Sequence, residues 1–124
     1  DYYKKKIILD GSHNIDGAKK LNEFLKRNKI KPIVVFGMLN NKKIDIFLRL
    51  IKKQIQSLVA IKIPNEKNAF MVDDIAKSCI SLSIKYKKSK NLKEVLNIID
   101  KSDQKIFLIT GSLYLVGKIR TRFL

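Results

Sequence analysis

One cysteine, Cys79, is all this chain carries, so no disulfide can close within it and a reducing, cytoplasmic setting is the natural expectation. No apolar run approaches the roughly 18 residues that span a bilayer, and no signal-peptide pattern stands at the start; no membrane partner is expected. Nor is there a G-x-x-x-x-G-K-S/T loop of the kind that cradles nucleotide phosphates, or a cluster of acids suited to magnesium. Acids are scarce altogether. Eleven Asp and Glu face 27 Lys and Arg, for a net charge of +16. Such a charge attracts polyanions and raises the question of nucleic acid. The bases, however, are overwhelmingly lysine and spread along the whole chain, and arginine, the better groove reader, is rare. The abundance of Ile, Lys and Asn fits a drift towards AT-rich codons. A solvated lysine surface is the expectation, with no nucleic-acid partner.

What is present fits one globular domain. The chain has 124 residues, 45% hydrophobic and 31% charged, enough for a real core of ordinary size. It opens on Asp1, which reads as an excised domain or processed fragment. Tyr2-Tyr3-Lys4-Lys5-Lys6 leads into a strand, Ile7 to Leu9, apolar on both faces as if covered by helices on each side. A helix follows over Asp16 to Asn28, with Ala18, Leu21, Phe24 and Leu25 spaced to face a sheet. Ile33 to Phe36 is a second strand. Ile44, Phe47, Leu48 and Ile51 then form one helical stripe. Leu58 to Ile63 is a third strand, and Asp73-Asp74 opens a helix containing Ile75, Ala76 and Cys79, the last a packing residue. Ser81 to Tyr86 alternates polar and apolar, predicting an edge strand. Asn91 with Glu94 forms a capping box for a helix burying Leu92, Val95, Leu96 and Ile99. Ile106 to Ile109 is the most apolar strand, and a last helix covers Leu113 to Leu124. Strands alternating with helices mean parallel βα units in a three-layer sandwich.

Three strands end in unusual residues: Asp10-Gly11-Ser12-His13-Asn14, Gly37-Met38-Leu39 and Thr110-Gly111-Ser112. In a parallel sheet such ends share one edge, where open α/β folds bind ligands and helix amides favour anions. Each residue also has a plainer reading. His13 can be structural; Asp10 can cap a turn; Asn14 and Ser112 can cap helices. Lys42 can be one more exposed lysine, and Tyr114 a packing residue with a usable hydroxyl.

The segment Asp10 to Asn14 resembles the D-G-A-H-N-P signature of folylpolyglutamate synthases and dihydrofolate synthases, in the Mur ligase superfamily. Val35-Phe36-Gly37-Met38-Leu39 with Lys42 is similar to V-F-G-M-L-x-D-K-D, and Gly111 to Gly117 to G-S-L-Y-L-x-G. Ile63-Pro64-Asn65-Glu66 stands where members carry I-P-G-E. Order and spacing agree, over that family's C-terminal domain only, here residues 1–124. Some positions depart. Ser12 replaces alanine, Ile15 replaces proline, and Asn41 and Lys43 stand where aspartates are frequent.

The resemblance implies an α/β, three-layer Rossmann-like sandwich of the Mur ligase C-terminal type, with a mostly parallel sheet of five or six strands. It also implies a ligase that adds L-glutamate to a folate or dihydropteroate carboxylate through an acyl phosphate. In that reading His13 is catalytic beside the ATP phosphates. Asp10, with Asn14, helps hold ATP through its ribose, and Ser112 helps seat glutamate. Nothing here resembles the family's G-T-N-G-K-G-S loop, so most ATP contacts and the Mg2+ ligands belong to a preceding ATPase domain. The expected state is a monomer, inactive without that domain. The rival reading is a non-catalytic basic Rossmann-like module that binds nucleic acid or an acidic partner.

Overall fold

The computed structural model describes residues 5–123. The Tyr2 to Lys4 lead-in and Leu124 at the end of the last helix lie outside them. Five strands alternate with five α-helices: β1 (Lys6–Leu9), α1 (Ile15–Arg27), β2 (Ile33–Phe36), α2 (Ile44–Ile51), β3 (Ser57–Ala60), α3 (Val72–Ser81), β4 (Tyr86–Lys88), α4 (Leu92–Lys101), β5 (Ile106–Thr110) and α5 (Leu113–Phe123). The strands form one parallel sheet in the order β1-β5-β2-β3-β4. Right-handed crossovers fix the layers. Moving from β1 through β2 and β3 to β4 puts α1, α2 and α3 on one face. The return from β4 to β5 puts α4 on the other, followed by α5.

Each face has its own core. Leu21, Leu25, Phe47, Leu48, Ile75 and Cys79 pack with Val34, Phe36, Leu58 and Leu108. Val95, Ile99, Leu115 and Ile119 pack with Val35, Val59, Phe107 and Ile109. At roughly 25 cal/mol per Å² of apolar area, each large side chain buried here contributes about 2 kcal/mol.

Several sequence expectations need correcting. The strand expected over Ser81 to Tyr86 lies at Tyr86–Lys88 instead. Ser81 completes α3; Ser83 takes a left-handed backbone with φ 58°, and Ile84 N donates to Cys79 O, closing the helix. The alternation belonged to a helix end and a turn. β3 stops at Ala60, because its neighbour β4 has only three residues and Ser89 N and Oγ take the Ala60 carbonyl. β1 has a core on each face as expected, Ile8 packing against one and Ile7 against the other. It is a sheet edge, with Ile7 and Ile8 half-buried and Leu9 38% exposed. Phe24 is 43% exposed, lying about 90° around α1 from the centre of the Ala18-Leu21-Leu25 stripe at 100° per residue. Leu96 is only half-buried.

Lysine also does one job that composition hides. Lys5 is buried, and its Nζ donates to the carbonyls of Ile99, Asp100 (3.2 Å) and Ser102 (2.5 Å). A cation there gives the carbonyls at the end of α4 a charged donor and opposes the negative end of its dipole.

Cys79 is fully buried, and desolvation pushes its thiol pKa up from 9.0 to about 11. Iodoacetamide at neutral pH is therefore expected to leave Cys79 unmodified until denaturant is added; rapid labelling of the native protein by mass spectrometry would contradict this. The unfolded chain gives up this proton near 9.0 and the folded one near 11. The associated stability is thus complete below the lower value and is lost as pH rises through that window.

Candidate functional site

β1, β5 and β2 are neighbours, but their connections part. Those after β1 and β2 cross to the α1–α3 face, while that after β5 goes to the other. A crevice opens at the carboxyl edge where adjacent strands send their loops apart. Here three loops meet: 10–14, 37–43 and 111–112. Backbone bonds hold them together. Asp10 N donates to Ile109 O at 2.9 Å, Gly111 N to Ser12 O at 3.1 Å, and Gly37 N to Thr110 O at 3.4 Å.

Two cavities share this crevice. One, of about 210 Å³, is lined by His13, Leu39, Lys42, Gly111, Ser112, Leu113 and Tyr114. The second, about 450 Å³ and more open, is lined by His13, Asn14, Ile15, Asp16, Asn41, Lys42 and Lys43. His13 and Lys42 therefore form the partition between them. The smaller space falls below the roughly 300 Å³ of a complete small-molecule site, so it suits a group such as an amino acid or a phosphate. Lys42 in the partition, and Lys43 against Asp16 in the larger cavity, leave the crevice with an excess of positive charge.

The four residues singled out from sequence have distinct positions. His13 is half-buried, and Nδ1 is the ring nitrogen that is enclosed, with no hydrogen-bond partner. Ser112 is only 3% exposed; its Oγ accepts from Tyr114 N at 3.0 Å and Leu115 N at 3.4 Å, capping α5. With the oxygen used as acceptor, its hydroxyl hydrogen is free to donate. Asn14 Oδ1 accepts from Gly17 N at 2.8 Å as the N-cap of α1. Asp10 lines neither cavity. Its Oδ1 accepts from Ser12 N at 2.7 Å and from Ser12 Oγ, leaving Oδ2 for other partners. The rim thus gathers His13 and Ser112 around one space and sets Asp10 and Asn14 beside it, both bonded within their own loop.

Tyr114 corrects the sequence reading. It is 59% exposed and stands with Leu113 at the mouth of the smaller cavity rather than packing into the core. Leu113 and Lys43 were not singled out as lining residues. Their position just beyond a strand that ends at the same rim is the signal that could have found them.

Residues 2–122 match the family described as dihydrofolate synthetase, C-terminal domain. The chain belongs to that family. Membership leaves the rival basic-module reading without an observation in its favour. Solved structures share the fold of this dihydrofolate synthetase-type domain. Folylpolyglutamate synthase from Thermotoga maritima is 24% identical, with a TM-score of 0.84 over 98% of this chain and 28% of that one. The Mycobacterium tuberculosis enzyme, in complexes with ADP and AMPPCP, is 21% identical, with a TM-score of 0.80 over 94% of this chain and 29% of that one. The bifunctional folylpolyglutamate synthase/dihydrofolate synthase of Yersinia pestis, complexed with AMPPNP and Mn ion, is 18% identical, with a TM-score of 0.78 over 94% and 28%. No curated protein sequence matches. The domain spans less than a third of each of these three structures.

Proposed function

We propose that residues 1–124 are the C-terminal domain of an ATP-dependent ligase that joins L-glutamate to the carboxylate of a folate or dihydropteroate through an acyl phosphate. The supporting observation is that His13 and Ser112, from opposite ends of the chain, line one small cavity whose partition is basic. ATP supplies the phosphoryl group that gives the carboxylate a leaving group. This chain contributes positioning and charge. His13, with Lys42 and Lys43, faces the phosphates. Asp10 offers its free oxygen to the ribose hydroxyls, and Asn14 fixes the entry to α1. Ser112 donates its hydroxyl hydrogen to a carboxylate of glutamate, at the positive end of the α5 dipole.

Among the described residues no group of three or more His, Cys, Asp or Glu side chains is placed to hold a metal ion. We assign Mg2+ and most phosphate contacts to a preceding ATPase domain, against which this one closes in a cytoplasmic monomer. Among the described residues, no helix is long and apolar enough to cross a membrane. The division of labour has a direct test. Calorimetry of the 124-residue chain alone is expected to give a Kd for ATP in the millimolar range, because so few phosphate ligands are on board. Micromolar affinity would show that the nucleotide site is complete here and would overturn the assignment.

A further inference from the structure

Two buried side-chain polar atoms among the described residues have no hydrogen-bond partner: His13 Nδ1 and Thr110 Oγ1. One backbone bond joins the residues beside them. Gly111 N, next to Thr110, donates to Ser12 O, next to His13, at 3.1 Å. Along β5, Phe107 and Ile109 belong to the core under α4 and α5, and Leu108 to the core under α1 to α3. Thr110, two residues beyond Leu108, continues on the α1 side. That is the side on which the loop carrying His13 enters α1. Thr110 is fully buried and lines neither cavity, so a bound ligand cannot reach it directly.

Buried polar groups nearly always find partners, and two unpartnered atoms flanking one backbone bond point to a shared one. We propose that Thr110 is a positioning residue for His13, acting through one buried water that accepts from the Thr110 hydroxyl and donates to Nδ1. An imidazole that accepts at Nδ1 keeps its proton on Nε2. Nε2 is not among the enclosed atoms, so the neutral ring presents a donor towards the cavities. A donor set in place beforehand meets negative charge without reorganisation when it develops. What the donor acts upon rests on the ligase reading; the tautomer does not.

His13 is the only histidine of this chain, so 15N NMR of the 124-residue protein observes a single ring. Above the titration range of the ring, the wild type is expected to carry the proton on Nε2. Thr110→Val, which keeps the shape and removes the hydroxyl, is expected to weaken that preference towards the balance of free histidine, and Thr110→Ser to retain it. Should the valine not fold, Thr110→Ala removes the same hydroxyl without adding bulk. A wild-type proton on Nδ1 overturns the proposal with no variant needed. So does a folded Thr110→Val or Thr110→Ala protein whose tautomer balance is unchanged. If the tautomer result holds while His13→Ala leaves turnover of the intact ligase intact, the ligase role of His13 fails and the positioning by Thr110 stands.

Discussion

Replacing His13 by alanine in the intact ligase is expected to lower kcat by about 10²- to 10⁴-fold, the range for removing a positioned proton-bearing group from a transition state. The melting temperature is expected to move by no more than about 2 °C, since changes away from core packing usually fall within about 0.5 kcal/mol. The two halves of this expectation have separate grounds. His13 is half-buried, its ring makes no hydrogen bond to another residue, and it lies on the partition between two cavities, so the fold loses little with it. The cavities lose the imidazole on their shared wall. Asn14 offers the contrast. Its side chain caps α1, and Asn14→Ala is expected to cost about 1 kcal/mol of stability, a loss His13→Ala does not show. Steady-state kinetics and thermal melts on both variants separate the roles. Normal turnover in His13→Ala would falsify the catalytic assignment, whatever happened to stability.

The alternation of β and α elements and the stripes of α2 and α3 were legible because they rest on short-range periodicity. Where periodicity misled, a tertiary neighbour decided. Ile7 to Leu9 has the composition of an interior strand but sits at an edge, since β5 comes between β1 and β2; no local pattern encodes that insertion. Ser81 to Tyr86 alternates by accident of a helix end meeting a left-handed serine. At the site, the convergence of the 10–14 and 110–112 loops followed from parallel topology alone. The roles of individual side chains did not. Asp10, Asn14 and Ser112 each make the local bonds of their plainer reading, and in Ser112 that bond leaves a donor available to the cavity. Capping and ligand contact are compatible in one hydroxyl, so the pattern could not choose between them. Thr110 gave no warning at all, because an unmet hydrogen bond is visible only once its surroundings are placed.

Gly111→Ala is expected to be the most damaging single-methyl change in the domain. Gly111 has φ of +106°, a conformation that costs a non-glycine residue roughly 1–3 kcal/mol. An added Cβ would also collide with Gly37 O and lie 2.9 Å from Phe36 Cε1, a backbone carbonyl and a fully buried ring with nowhere to go. Overpacking of that kind adds about 1–3 kcal/mol. The total, about 4 kcal/mol, is a large share of the roughly 5–15 kcal/mol that holds an ordinary domain together, and corresponds to a fall of about 15 °C in Tm. Gly117 supplies the control. It lies within α5 with nothing inside 4 Å of an added Cβ, so Gly117→Ala is expected to raise stability by up to about 1 kcal/mol through helix propensity. Thermal melts of the two variants should therefore move in opposite directions. A Gly111→Ala protein melting like the wild type would mean that the β5 exit does not lie tight against the β2 exit. In that event the smaller cavity between them, and the meeting of His13 with Ser112 across it, would lose their structural basis.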